Sequence, residues 1–428
     1  MSLLDKKYFH FIGIGGIGVS SLAQILHAKG KTVSGSDNYS SELTKSLKKN
    51  GIKVFEGHDE KNVNKKIELV VYSPAVPMSN PEIKKAKELN IKCLSYPEAL
   101  GELSKEYFTI AIAGTHGKST TTAMTSLILA EGKLDPTVVI GTKLREFKNK
   151  NFRVGKSKYL VIEACEYRRS FLHFKPNILV ITNIEAEHLD YYKDLKDYQE
   201  AFHDIAKKVS KDGYIVANSK EKNLEPILDN CSAQIIKWKE KVKAKPGIPG
   251  EFNLVNATNA AMVGELLGIS EKNINSAIKK YKGSWRRMDY KKKKLGKTQF
   301  IDDYGHHPTE VRVTLAAIRE KHPEAKILCV FQPHQHSRTK MLLKEFGHAF
   351  NSVDQVIIPN IYQVRDSEEV VKSICVDDLV NEIKIQQPQV KNGESLEKTA
   401  IYIKENHKKY DIVVTMGAGD ISKIYKLL

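Results

Sequence analysis

Two glycine-rich turns supply the chemistry in this chain. The stretch "GTHGKSTTT" at 114–122 follows the apolar run "FTIAIA" and precedes the helix-like "AMTSLILAEG". Such a turn points backbone N–H groups outward at a helix N-terminus, where the partial positive charge attracts phosphate. Lys118 adds a mobile cation for the outer phosphates of a nucleoside triphosphate, and Ser119 a hydroxyl for Mg2+. Gly114, Thr115, His116, Gly117 and Thr120 complete the expected ATP cradle. The spacing departs from the general phosphate-loop pattern, since Gly114 stands only three residues before Gly117. A lone G-K-S is a weak signal; its place between strand and helix gives it weight. The other turn, "HFIGIGGIGVSS", holds Gly13-x-Gly15-x-x-Gly18 around Gly16 and Ile17, and the run "TVSGSD" ends in Asp37. Alone, that pattern is a dinucleotide fingerprint.

Carboxylates and an imidazole accompany the first turn. Glu163 and Glu166 lie in "VIEACEY" at the end of an apolar run, and His188 lies in "NIEAEHLDYY" just past another. Carboxyl ends of parallel strands are where open α/β sheets bind ligands. Singly, such a Glu caps a strand and such a His caps a helix. Together, in a unit bearing a phosphate turn, Ser119, Glu163 and His188 make a plausible partial Mg2+ shell. Cys165, between the two glutamates, reads as a small buried filler. A dehydrogenase needs one nucleotide cradle and this chain has two. The Gly13–Gly18 turn is therefore expected to hold a different phosphorylated substrate.

The elements that must position these groups read as α/β throughout. Short apolar runs alternate with helical stretches, the pattern of βαβ units and parallel sheets. Three α/β domains are expected: a Rossmann-like domain over 1–107, a central P-loop ATPase-like domain over 108–287, and a Rossmann-like C-terminal domain over 288–428. Lys and Arg exceed Asp and Glu by 68 to 51, a formal net charge of +17. The lysines are spread out, and the one dense run, "DYKKKKLGK" at 289–297, has no interleaved aromatic platform and reads as a solvated hairpin. Nucleic-acid binding is not expected. No apolar run reaches the roughly 18 residues of a membrane-spanning helix. The N-terminus shows no signal-peptide pattern. Five scattered cysteines without a CxxC fit reduced thiols in a cytoplasm.

The motifs "GIGGIGVSSLA", "SPAVP", "AGTHGKSTTT", "EACEYRRSFL", "TNIEAEHLD", "EFNLVNATNA", "WRR", "DDYGHHPTEV", "FQPHQHSRT" and "MGAGDI" run in order from about residue 8 to 425. In that order and spacing the chain resembles the Mur ligase family of ATP-dependent, ADP-forming amide-bond ligases. "DDYGHHPTEV" and "FQPH…RT" resemble its alanine-adding branch. The resemblance implies that L-alanine is joined to the lactyl carboxylate of UDP-N-acetylmuramate through an acyl phosphate, in peptidoglycan precursor synthesis. It implies that Lys118 contacts the γ-phosphate and that Ser119, Glu163 and His188 hold Mg2+. Asn256 and Asn259 would face ATP, with Asn259 near the adenine, and Arg287 and Asp303 would close on the nucleotide from the third domain. The Gly13–Gly18 turn would take the UDP pyrophosphate, with Ser36, Asp37 and Ser73 near the uridine and its linkage. His334 and Arg338 would hold the amino-acid carboxylate.

Departures from the family pattern are local. Many relatives read "HRYTRT" where this chain reads "HQHSRT", so Gln335 removes a positive charge beside the expected amino-acid site. "EACEYRR" replaces "EADESD". His203 falls near the position where sister ligases carry a carbamylated lysine, so the resemblance does not support carbamylation here. A metal-bound His188 could not accept a proton, and no base for the alanine ammonium is assigned. Three alternatives stay open: the sister ligase that attaches a whole peptide to the same UDP-sugar, an NAD-dependent oxidoreductase, and a non-catalytic ATP-binding paralogue. The last is expected to lack Lys118, Glu163 or His188, and all three are present.

Overall fold

The computed structural model describes residues 2–428. The first sheet contains β1 (Tyr8–Ile12), β2 (Thr32–Asp37), β3 (Lys53–Glu56), β4 (Leu69–Tyr72) and β5 (Cys93–Ser95), all parallel in the order β3-β2-β1-β4-β5. The order reverses at β1, and the crevice beyond such a switch point is where doubly wound sheets bind ligands. The Gly13–Gly18 turn leaves β1 there and enters the helix Ile17–Ala28.

The second sheet contains β6 (Phe108–Ala113), β7 (Thr137–Leu144), β8 (Lys150–Arg153), β9 (Tyr159–Glu163), β10 (Ile178–Ile181), β11 (Tyr214–Asn218) and β12 (Gln234–Trp238). Its order is β12-β11-β10-β6-β9-β7-β8, parallel except for the β7–β8 hairpin. Its switch point is β6, from which the Gly114–Gly117 turn runs into the helix Lys118–Glu131.

The third sheet contains β13 (Asp289–Leu295), β14 (Thr298–Asp303), β15 (Ile327–Phe331), β16 (Gln355–Ile358), β17 (Val390–Asn392) and β18 (Ile412–Met416), in the order β13-β14-β18-β15-β16-β17. Only β13 is antiparallel, paired with β14. The lysine run thus forms half of a hairpin. Lys291 in it is paired with Asp289 at 2.8 Å and Asp302 at 3.0 Å, and the side chains of Lys293 and Lys294 lie outside the described residues.

Contacts divide the chain into two compact units, Met1–Lys243 with Asn256–Ile278, and Ala244–Val255 with Lys279–Leu428. The segments 244–255 and 279–287, expected with the central domain, group with the C-terminal unit. In the first unit the first two sheets share one apolar cluster, running from Phe9, Phe11 and Leu22 to Leu179, Phe202 and Ile215. Asn151 on β8 ties them further: its amide donates to Ile17 O at 3.0 Å and to Ser21 Oγ at 2.6 Å, in the first turns of the Ile17–Ala28 helix. In the second unit, strand alternation splits the core between the two faces of the sheet. Ile327, Cys329 and Phe331 join one apolar cluster, Leu328 and Val330 the other. Among the described residues, no helix is long and apolar enough to cross a membrane.

Candidate active site

The Gly114–Gly117 turn is held from beneath by the neighbouring strand end. Gly114 has φ 131°, and a Cβ there would stand 2.0 Å from Thr182 Oγ1. Gly117 caps the Lys118–Glu131 helix at φ 81°, and a Cβ there would stand 2.2 Å from Asn256 Oδ1. Only glycine meets both demands, a left-handed backbone and close approach. The residues between are pinned to the loop after β10. Asn183 Oδ1 accepts from His116 N at 2.9 Å, His116 O accepts from Thr182 Oγ1 at 2.7 Å, and Thr115 Oγ1 accepts from Glu185 N at 2.8 Å.

Lys118 spends its three donors locally, on Gly114 O at 2.6 Å, Thr115 O at 2.9 Å and Glu166 Oε1 at 3.0 Å. Glu166 is fully buried. Burial alone would raise its carboxyl; the Lys118 ammonium and His188, whose Nε2 lies 3.5 Å from Oε1, outweigh that and hold it below the ordinary glutamate range. Lys118 is raised in turn, the Glu166 charge overcoming desolvation.

Glu163 ends β9 and faces the helix start. Its Oε1 accepts from Ser119 Oγ at 2.9 Å and its Oε2 from Gly141 N at 2.7 Å. The structure therefore sorts the expected residues into two pairs, Ser119 with Glu163 and Lys118 with Glu166, with His188 on the second. Glu166, noted in the sequence without a role, is the buried hub. His188 sits at φ 55°, its carbonyl accepting from Tyr191 N and Tyr192 N, and its Nδ1 is buried without a hydrogen bond. The Ser119 hydroxyl, the Glu163 carboxylate and the unused His188 nitrogen are donor types that a divalent cation takes.

Cys165 differs from expectation: it is exposed. Cys165 lies two residues past the end of β9 at Glu163, beyond the part of the strand that is covered on both faces. His203, on the helix Leu195–Ala206, bonds Ile227 O through Nδ1 at 2.9 Å. Asn256 accepts from Thr121 Oγ1 at 3.3 Å. Asn259 is fully buried; its Oδ1 accepts from Trp238 Nε1 at 2.8 Å and its Nδ2 has no partner. An amide so placed has a donor to offer a base edge.

The Gly13–Gly18 turn is built to be tight. Gly13 has φ 75°, and a Cβ there would meet Ser73 Cβ at 2.9 Å. A Cβ on Gly18 would meet the Tyr96 ring at 2.9 Å. Asp37 Oδ2 accepts from Gly15 N at 2.8 Å, and Ser36 O accepts from Gly13 N at 2.9 Å and Ile14 N at 3.0 Å. Gly16 caps the following helix ahead of Ile17. Ser36 departs from expectation. Its hydroxyl is buried, donating to Glu82 and bonded to His58 Nδ1 at 2.9 Å, so it is committed to those two side chains. Adjacent strand residues point to opposite faces, so the side chains of Ser36 and Asp37 lie on opposite sides of β2. Tyr96 was not singled out in the sequence. Burial chiefly, and then the charges of Glu163 and Cys165, raise its phenol pKa.

In the second unit, Arg287 stands over the Tyr304 ring at 5.1 Å, with Glu310 Oε1 3.8 Å from its NH1. Asp303 accepts from Met288 N at 2.7 Å and Gly305 N at 2.8 Å. Burial pushes its carboxyl up to about 6 against the pull of Arg287 and those two donors. His334 and Arg338 are together: Arg338 NH1 lies 3.2 Å from His334 Nδ1 and donates to His334 O at 3.2 Å. Gln335 is buried between them at φ 75°.

Comparison with known proteins agrees along the chain. Residues 8–108 match the Mur ligase family catalytic domain, 112–239 the Mur ligase middle domain, and 286–419 the Mur ligase glutamate ligase domain. A UDP-N-acetylmuramate–L-alanine ligase of Clostridium botulinum is 40% identical over 98% of this chain and 97% of that protein. The protein of the same name from Clostridium kluyveri is 38% identical over 99% and 98%. The crystal structure of the UDP-N-acetylmuramate–alanine ligase of Thermotoga maritima superimposes with a TM-score of 0.79 at 26% identity, covering 98% of each chain.

Proposed function

Since the chain belongs to the Mur ligase family, we propose that it joins L-alanine to the lactyl carboxylate of UDP-N-acetylmuramate, with ATP converted to ADP and phosphate. The supporting observation is the pairing of Lys118 with the buried Glu166 at the end of the glycine turn, with Ser119 and Glu163 beside it. A carboxylate is a poor electrophile, and phosphorylation to an acyl phosphate gives it a leaving group for the alanine amine to displace. Negative charge then gathers from carboxylate, phosphate and tetrahedral intermediate. The Lys118 ammonium and the N–H groups of the helix start are fixed dipoles and charge for it, preorganised by the Asn183 and Thr182 bonds.

Mg2+ would be held by Ser119, Glu163 and His188, and when bound it would neutralise phosphate charge. Asn256 and Asn259 are proposed as ATP contacts, with Arg287 and Asp303 as further nucleotide contacts. The Gly13–Gly18 turn, Asp37 and Ser73 are proposed to take the UDP-sugar, and His334 and Arg338 the alanine carboxylate. The three domains proposed remain those centred on the three sheets, and the compartment proposed is the cytoplasm, where reduced cysteines are expected. The test is phosphate release with UDP-N-acetylmuramate across an amino-acid panel that includes the peptide cargo of the recycling ligase. Alanine is expected to give the highest kcat/KM. Preference for the peptide or another amino acid would overturn the specificity while leaving the ligase chemistry.

A further inference from the structure

We propose that Asp366 and Tyr362 are positioning residues for the amino-acid substrate, clamping His334 and Arg338 into one fixed pair. The proposal rests on the assignment of His334 and Arg338 to the amino-acid carboxylate. Between these two residues the chain makes an unfavourable bend. Gln335 has φ 75° without being glycine, and the helix that follows, His336–Met341, has six residues. A helix that short does not hold itself together in water. Something outside it must keep Arg338 one turn in from the helix start and beside His334.

The segment after β16 does so from two sides. Its backbone is zipped to the strand exit: Gln335 N donates to Tyr362 O at 3.0 Å, and Tyr362 N donates to Pro333 O at 2.8 Å. The Tyr362 ring stacks on His334 at 5.6 Å and 19°. Four residues on, the buried Asp366 carboxylate caps the short helix. It accepts from His336 N at 2.7 Å, Ser337 Oγ at 2.6 Å and Ser337 N at 3.4 Å, and lies 3.6 Å from His336 Nδ1. The side chain is 3% exposed, so little water can replace those bonds. Thr339 closes the first turn by donating Oγ1 to Gln335 O at 2.7 Å. One ring thus orients the imidazole and one carboxylate fixes the start of the helix that carries the guanidinium. Neither Tyr362 nor Asp366 is required to touch substrate.

The test is steady-state kinetics of the full chain, with separate KM values for L-alanine, ATP and UDP-N-acetylmuramate. Asp366→Asn is expected to raise the alanine KM about tenfold, while the other two stay within about twofold. Tyr362→Ala acts in the same direction. If Asp366→Asn does not fold, Ser337→Ala, which removes only the 2.6 Å bond, is expected to raise the alanine KM about threefold. Arg338→Ala is the reference, and adding Asp366→Asn to it should bring no further loss, because the cap acts through Arg338. An unchanged alanine KM in folded Asp366→Asn or Ser337→Ala, with Arg338→Ala impaired, overturns the clamp alone. So does an equal rise in all three KM values. An unchanged alanine KM in Arg338→Ala overturns the amino-acid assignment, and the clamp with it.

Discussion

Replacing Lys118 by Met tests the physical account of the nucleotide turn before any ligand is added. The change leaves Glu166, fully buried, without its main counter-charge. Breaking a buried pair by removing one partner costs about 3–5 kcal/mol. The protein can limit that loss by taking up one proton. If Glu166 takes it, starting from an ordinary pKa of about 4.3, the cost is about 5 kcal/mol at pH 8 and about 2 at pH 6. The deficit therefore shrinks on acidification by about 1.4 kcal/mol per pH unit. The sign follows from linkage: the variant's folded state binds a proton that its unfolded state does not, so falling pH favours folding. Thermal midpoints of wild type and variant at pH 8, 7 and 6 read this out, at about 2–4 °C per kcal/mol for a domain of this size. Lys118→Met with Glu166→Gln removes both charges and should recover most of the midpoint, with no recovery of phosphate release. A midpoint within about 2 °C of wild type at pH 8, with no pH trend, would refute the buried-pair reasoning.

Four further outcomes follow. Lys118→Met should abolish ligation yet leave UDP-N-acetylmuramate binding by calorimetry nearly intact, and comparable loss of both in a folded variant would sink the assignment of separate turns. Trp238→Phe removes the indole donor to Asn259 Oδ1 and leaves a buried amide fully unpaired, so ATP affinity should fall about tenfold; an unchanged ATP Kd would detach Asn259 from the nucleotide. Asp303, raised to about 6 by burial, stabilises the fold least when ionised, so the free protein should gain stability as pH falls from 7 toward 5, and a carbon-13 carboxyl titration with its midpoint near 4 would contradict this. Glu82 is the opposite case. Its own burial opposes ionisation, but His10, Ser36 and Asn62 hold its carboxyl low, so its contribution is present above the ordinary glutamate pKa and lost as pH falls below it; Glu82→Gln should flatten the acid limb of the stability profile.

What was legible in the sequence was whatever depends on neighbours along the chain. The glycine turns, their flanking strands and helices, and the strand-end placement of Glu163 and His188 are all set within a dozen residues. Lys118 and Ser119 follow directly, because a turn between strand and helix leaves few orientations for them. What depended on residues distant in sequence was not legible. Ser36 looked like a ligand contact because it adjoins Asp37, and its hydroxyl is committed because Glu82, 46 residues on, receives it inside the protein. The pairing of Lys118 with Glu166 depends on where β9 stops. The same stop exposes Cys165. Tyr96 carried no motif at all; its signal was only the capping box of Ser95 and Glu98 that starts its helix.

The bond from Asn151 to the helix of the first glycine turn, together with the apolar cluster shared by the first two sheets, has a consequence for ligand chemistry. Two recognition elements carried on one compact unit and tied by these contacts hold a defined spacing. On the assignment proposed above, a compound with a uridine diphosphate at one end and a phosphate mimic at the other therefore needs a single tether length. Once one end docks, the other experiences an effective concentration in the millimolar range at the matched length, and far less when the tether is too short to reach. A series of such compounds differing only in tether should show one sharp optimum in affinity, and Asn151→Ala, which frees the helix start, should broaden it.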